Sequence, residues 1–155
     1  MADDRDEQPT RADVEGSAAR FLSRRDHGRG ELRDKLRKRD YPDELIDDVL
    51  DDFEEWGYLD DEKFAREQGA ILARKCWGPR QILHKLRARG VDETIVDQAL
   101  AEIGEEEDWE ERARERLHSR FGRADELDDK DQKRAYRHLT YRGYYPALVR
   151  RLLFD

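Results

Sequence analysis

The chain has 155 residues, a formal net charge of −8, 45% charged and 36% hydrophobic side chains. That hydrophobic share is lean for one thick globular core and suits a thin apolar layer repeated along a charged helical array. A lone cysteine, Cys76, excludes an intramolecular disulfide, no apolar run reaches the length of a membrane span, and no signal-type apolar segment opens the chain. The expectation is a soluble cytoplasmic protein.

Residues 1–16 are polar and aperiodic, which predicts a disordered arm. The first helix is expected to start at Ser17 as N-cap, to bury Ala18, Phe21 and Leu22, and to end at Gly28. A basic second helix follows, with Leu32 and Leu36 one turn apart and Asp40 at a left-handed C-cap. Pro42 opens a third helix, Asp43 to Glu55, which holds eight acids and no base. Leu45, Ile46, Val49, Leu50 and Phe53 fall between those acids at helical spacing, so the acids read as a solvated outer face.

The stretch from Gly57 to Ala65 joins this unit to the next. Gly57 closes one helix, Asp60 N-caps another, and Leu59 and Phe64 take the flanking places of a hydrophobic staple. Tyr58 and Asp61 belong to the same joint, whose aromatics read as core. The next helix runs through Ala70, Ile71 and Leu72 to Cys76 and Trp77, stopped by Gly78–Pro79.

Here the chain repeats itself. Gly28, Leu32, Leu36 and Arg39 recur fifty residues on as Gly78, Ile82, Leu86 and Arg89, and the third-helix stripe recurs as Ile95, Val96, Ala99, Leu100 and Ile103. From Glu105 to Arg120 a charged helix carries Trp109, Ala113 and Leu117 ahead of Phe121, then a longer loop spans Gly122–Asp129. A looser third copy runs from Lys133 through Leu139 to Gly143 and Tyr144, followed by Leu148, Val149, Leu152 and Leu153. Self-similarity at this period marks a repeat architecture, and no alternating strand pattern competes. The prediction is an all-α tandem repeat of three three-helix, helix-turn-helix-like units, 17–58, 59–106 and 107–155.

Charge is segregated within each unit. Residues 28–41, 78–91 and 130–144 carry +3, +4 and +4, so the remainder carries −19. The candidate binding residues are therefore a basic ridge on the second helices: Arg33, Lys35, Arg37 and Arg39, then Arg80, Lys85, Arg87 and Arg89, then Lys133, Arg134, Arg137 and Arg142. Arginine grips carboxylate or phosphate in a two-pronged contact, so a protein acid patch or a nucleic-acid backbone would serve. An acidic chain makes a poor general coater of nucleic acid.

An enzyme is not expected. There is no nucleophile–base pair, phosphate loop, metal cluster or calcium loop. His27, His84 and His138 stand isolated on basic segments and read as surface or helix-end residues, and Ser17, Ser23 and Ser119 lack suggestive neighbours. No cofactor or metal is expected.

Three motifs together resemble the RecX family of recombinase regulators. They are the Gly-Tyr-Leu-Asp-Asp-x-x-Phe-Ala joint at 57–65, the glycine-to-glycine basic helix at 78–90 with its copy at 28–40, and Leu-x-x-Arg-Gly-Tyr at 139–144. The likeness covers residues 17 to 155. It implies an elongated, curved array of three-helix units that binds the bacterial RecA recombinase as a monomer. It also implies an inhibitory effect on the filament's ATPase, strand exchange and co-protease activity in DNA repair and the SOS response, with DNA, single- or double-stranded, weakly in reach. Asp40 departs from the glycine column, and the acidic third helices count against strong direct DNA contact. The rival readings are an autonomous DNA-binding protein using the basic helices and a helical scaffold for another protein.

Overall fold

The computed structural model describes residues 8–155, and among them every regular element is helical. In chain order these are α1 (Arg11–Arg24), α2 (Arg29–Arg37), α3 (Asp43–Glu55), α4 (Asp61–Arg74), α5 (Pro79–Ala88), α6 (Glu93–Glu106), α7 (Trp109–Arg120), α8 (Asp129–Tyr141) and α9 (Pro146–Phe154), with a short 3-10 turn at Ala124–Glu126. Chain contacts divide into two bodies, Met1–Phe64 with Arg89–Val91, and Ala65–Ala88 with Asp92–Asp155.

Helix boundaries differ from expectation, and α1 ends at Arg24 and not at Gly28, which is the N-cap of α2. The first helix begins six residues ahead of Ser17, because Thr10 and Asp13 form a capping box that satisfies two free backbone N–H groups. Ser17 is buried instead, its hydroxyl 2.7 Å from the Tyr41 hydroxyl, so residues 11–16 are helix and not arm. Residues 1–7 of the expected arm lie outside the described residues. The charged helix assigned from Glu105 is two elements: α6 runs to Glu106, and Asp108 caps a fresh start by accepting from the Glu111 N–H at 3.2 Å.

Each core is the apolar stripe read from the periodicity. In the first body Val14 and Ala18 of α1, Leu32 and Leu36 of α2, and Ile46, Val49, Leu50 and Phe53 of α3 close on one another with Leu59. In the second body Ala113 and Leu117 of α7, Ala135 and Leu139 of α8, and Val149 and Leu153 of α9 close around a fully buried Tyr144. Ile82 and Leu86 on α5, with Val96, Ala99 and Ile103 on α6, are the buried side chains of the middle repeat.

The joint at 57–65 is built as its spacing predicts. Gly57 is left-handed (φ 83°), Tyr58 N–H donates to the Phe53 carbonyl at 2.8 Å and Gly57 N–H to the Glu54 carbonyl at 3.1 Å, a Schellman end to α3. Asp60 accepts from the Lys63 N–H at 3.1 Å, and Leu59 and Phe64 are 3% and 4% exposed as a staple requires. The aromatics divide, which corrects the core reading: Trp56 and Tyr58 are 53% and 64% exposed, stacked on the edge of buried Phe53. Chain reversal at Gly57 turns both rings outward.

Candidate protein interface on the basic helices

The starts of α2 and α5 are held by the following repeat. At α2, the Arg29 N–H donates to the Asp61 carboxylate at 2.9 Å and the Gly30 N–H to the Gly90 carbonyl at 3.3 Å. At α5, the Gly78 N–H donates to the Arg142 carbonyl at 2.7 Å and the Arg80 N–H to the Gly143 carbonyl at 3.1 Å. The glycine column 40/90/143 is left-handed throughout (φ 63°, 80° and 101°), as the C-cap reading anticipates. Only at Gly90 and Gly143 does another backbone press on the missing β-carbon, which explains why aspartate suffices at position 40. The N-cap of α8, Asp128, caps that helix with its own side chain, accepting from the Asp131 N–H at 2.8 Å.

The ridge residues meet different fates. On α2, Arg33 donates through Nε and Nη2 to Asp47 (2.9 and 3.3 Å), and Arg37 does the same to Asp43 (2.9 and 2.8 Å). The pair holds the Asp43 carboxyl below its ordinary range, chiefly through the Arg37 hydrogen bond. Lys35 points inward, its Nζ donating to Nε2 of buried His27 at 2.8 Å while His27 Nδ1 donates to the Arg25 carbonyl, and Arg39 lies 4.8 Å over the Phe21 ring. Burial pushes the His27 pKa down, so the ring is a neutral packing element and not the surface residue expected.

On α5, Arg80 and Arg87 are exposed, Arg80 resting 5.9 Å over the Tyr145 ring and Arg87 reaching Glu93 at 3.5 Å. Lys85 sits 4.1 Å over Trp77. Arg89 is folded back, stacked 4.7 Å over Phe64 and 3.7 Å from Glu31. On α8, Lys133, Arg134 and Arg137 are exposed, with Arg134 paired to Asp131 at 3.3 Å. Among the described residues no carboxylate lies in ion-pair reach of Arg80, Lys85, Lys133 or Arg137.

Arg142 departs from the expected ridge. It is 9% exposed, stacks 3.5 Å over Trp77, and donates to the carbonyls of Cys76 and Lys75 at the end of α4. Burial lowers its pKa, and its work is to hold a helix end where Cys76 is left-handed (φ 62°). His138 is likewise structural: Arg116 Nε donates to its Nε2 at 2.9 Å, and burial with the nearby arginines pushes its pKa down to about 4. Burial and Glu115 raise the Cys76 pKa, which disfavours its thiolate. No group of three metal-ligating side chains is found among the described residues.

The fold and surface define a class: a tandem helical repeat protein whose second helices carry exposed bases. Residues 16–53 match the RecX first three-helix domain and residues 60–100 the RecX second three-helix domain. Similar proteins include Regulatory protein RecX of Pseudomonas savastanoi pv. phaseolicola, 39% identical over 90% of this chain and 89% of that one. Regulatory protein RecX of Vibrio vulnificus is 33% identical over 95% of each chain. The crystal structure of RecX from Lactobacillus salivarius superposes with a TM-score of 0.74 at 19% identity, covering 92% of this chain and 93% of that chain. A second crystal structure, of regulatory protein RecX, gives 0.76 at 20% identity over 94% of this chain and 73% of that chain. The chain belongs to the RecX family of regulatory proteins.

Proposed function

We propose that the chain binds filaments of the bacterial recombinase RecA and restrains their ATP hydrolysis, strand exchange and co-protease activity, acting as a non-enzymatic cytoplasmic monomer in DNA repair. Family membership supports a regulator, and one observation carries the mode of action. Exposed bases recur on equivalent helices of successive repeats, and Arg80, Lys85, Lys133 and Arg137 have no carboxylate in ion-pair reach among the described residues. A row of unneutralised cations on rigid helices suits a long, repeating, anionic partner better than a small ligand. In this reading the three repeats, with the first starting at Thr10, act as successive contact modules, and no helix among the described residues is long and apolar enough to cross a membrane.

The test is RecA ATP hydrolysis on single-stranded DNA, titrated with this protein below the RecA concentration at two salt levels. Inhibition at substoichiometric ratios is expected. No effect at any ratio, together with tight DNA binding in a mobility-shift assay, would replace this reading with an autonomous DNA-binding protein.

A further inference from the structure

Three bases of the first repeat, Arg29, Arg33 and Arg37, are already neutralised. Arg29, Arg33 and Arg37 stand one turn apart on α2 and meet α3 acids in reverse order: Asp51 and Glu54 (2.8 and 3.0 Å), Asp47 (2.9 Å) and Asp43 (2.8 Å). This is an antiparallel charge ladder along one seam.

In the next repeat the same columns read Pro79, Leu83 and Arg87 against Glu93, Asp97 and Ala101. One rung survives, Arg87 to Glu93 at 3.5 Å, with both side chains more than half exposed. In the third repeat, aligned on Gly143, the columns read Gln132, Tyr136 and Thr140 against Pro146, Arg150 and Phe154. The acid of the middle rung has become Arg150, which lies 5.7 Å over the Tyr136 ring. So the ladder is complete in one repeat, cut to one rung in the second, where Pro79 and Leu83 replace two of the bases, and lost in the third, where the middle acid has become a base.

What this uncovers on α5 is an open groove of about 420 Å³ lined by Arg80, Leu83, His84, Arg87 and Ala88. The arginines lie two turns apart at its ends, and its floor is aliphatic. We propose that the second and third repeats form the docking surface, and that the α5 groove takes an acidic polypeptide segment with an apolar side chain between its carboxylates. The proposal rests on the reading that the chain acts through its basic helices, and it deepens that reading by naming the face and the partner's chemistry. Charge complementarity selects an acidic occupant. Peptide is favoured over unpaired nucleic acid because Leu83 and Ala88 suit an apolar side chain and the groove's one ring is the small imidazole of His84, while nearby Trp77 is already stacked by Lys85 and Arg142. The net charge of −8 points the same way.

The experiment compares Arg80→Gln with Arg87→Gln on α5 against Arg33→Gln with Arg37→Gln on α2, which remove equal charge. Leu83→Asp, at a half-buried site on the groove floor, adds an acid, and a urea melt of this variant checks that it stays folded. Fluorescence anisotropy follows a labelled peptide of Glu-Glu-Leu-Glu repeats and an oligothymidylate of equal charge, and RecA-filament binding is measured in parallel. Peptide affinity should fall by about tenfold in the α5 pair and in Leu83→Asp, and hold in the α2 pair. Equal losses in both pairs would overturn the assignment, as would oligothymidylate binding more tightly than peptide and responding to the α5 pair. If the unaltered protein ignores RecA filaments while peptide binding still depends on α5, the RecA reading fails and the docking face stands.

Discussion

Gly90 and Gly57 share a left-handed backbone but sit in different surroundings. A β-carbon on Gly90 would stand 2.3 Å from the Glu31 nitrogen, and one on Gly143 would stand 2.4 Å from the Gln81 nitrogen, whereas nothing lies within 4 Å at Gly57. Gly57→Ala therefore carries only the conformational cost, about 1 kcal/mol. Gly90→Ala and Gly143→Ala add overpacking against backbone, about 1–3 kcal/mol more. Urea melts of the three variants check that order.

His138 provides a pH test at the same scale. Its folded pKa of about 4 lies below the ordinary 6.5, so between those values the unfolded chain binds the extra proton. Stability is complete above the ordinary value and falls as pH drops through that window. His138→Gln should flatten part of the slope, read as the difference between variant and unaltered chain in melts at successive pH values. His27, also lowered, contributes in the same sense.

Helix ends carry the logic at the scale of elements. The starts of α2 and α5 take their hydrogen-bond partners from the next copy, while α1 and α8 use their own Thr10 and Asp128. Thr10→Ala should lose about 1 kcal/mol, measured by thermal or urea unfolding. At the end of α4, Arg142→Met removes a charged donor from two carbonyls and uncovers Trp77, which should lower stability by about 1.5–3 kcal/mol. Arg137→Gln, at an exposed side chain, should leave the melt unchanged. The caps at Gly57, Asp60 and the 40/90/143 column were legible because each depends on a few neighbours in sequence. Thr10 was not read from the sequence, because Thr-x-x-Asp lacks the Glu or Gln of the usual capping box and lies in a polar, aperiodic stretch.

For the molecule as a whole, the −8 charge and the first repeat's sealed ladder predict weak binding to free DNA that is lost steeply as salt rises. A titration of duplex and single-stranded DNA across salt concentrations measures this directly. The sequence by itself determined the all-helical class, the three-fold repetition, the buried stripes and the joint at 57–65. All of these follow from periodicities and caps that span a turn or two of chain. Only the tertiary structure decided which bases stay free. Arg33 and Arg37 are neutralised by α3, Arg142 is spent on the end of α4, and Lys35 is drawn onto His27, whereas Arg80, Lys133 and Arg137 remain open. A side chain's charge is written in the sequence, but its neutralisation depends on which helix packs against it.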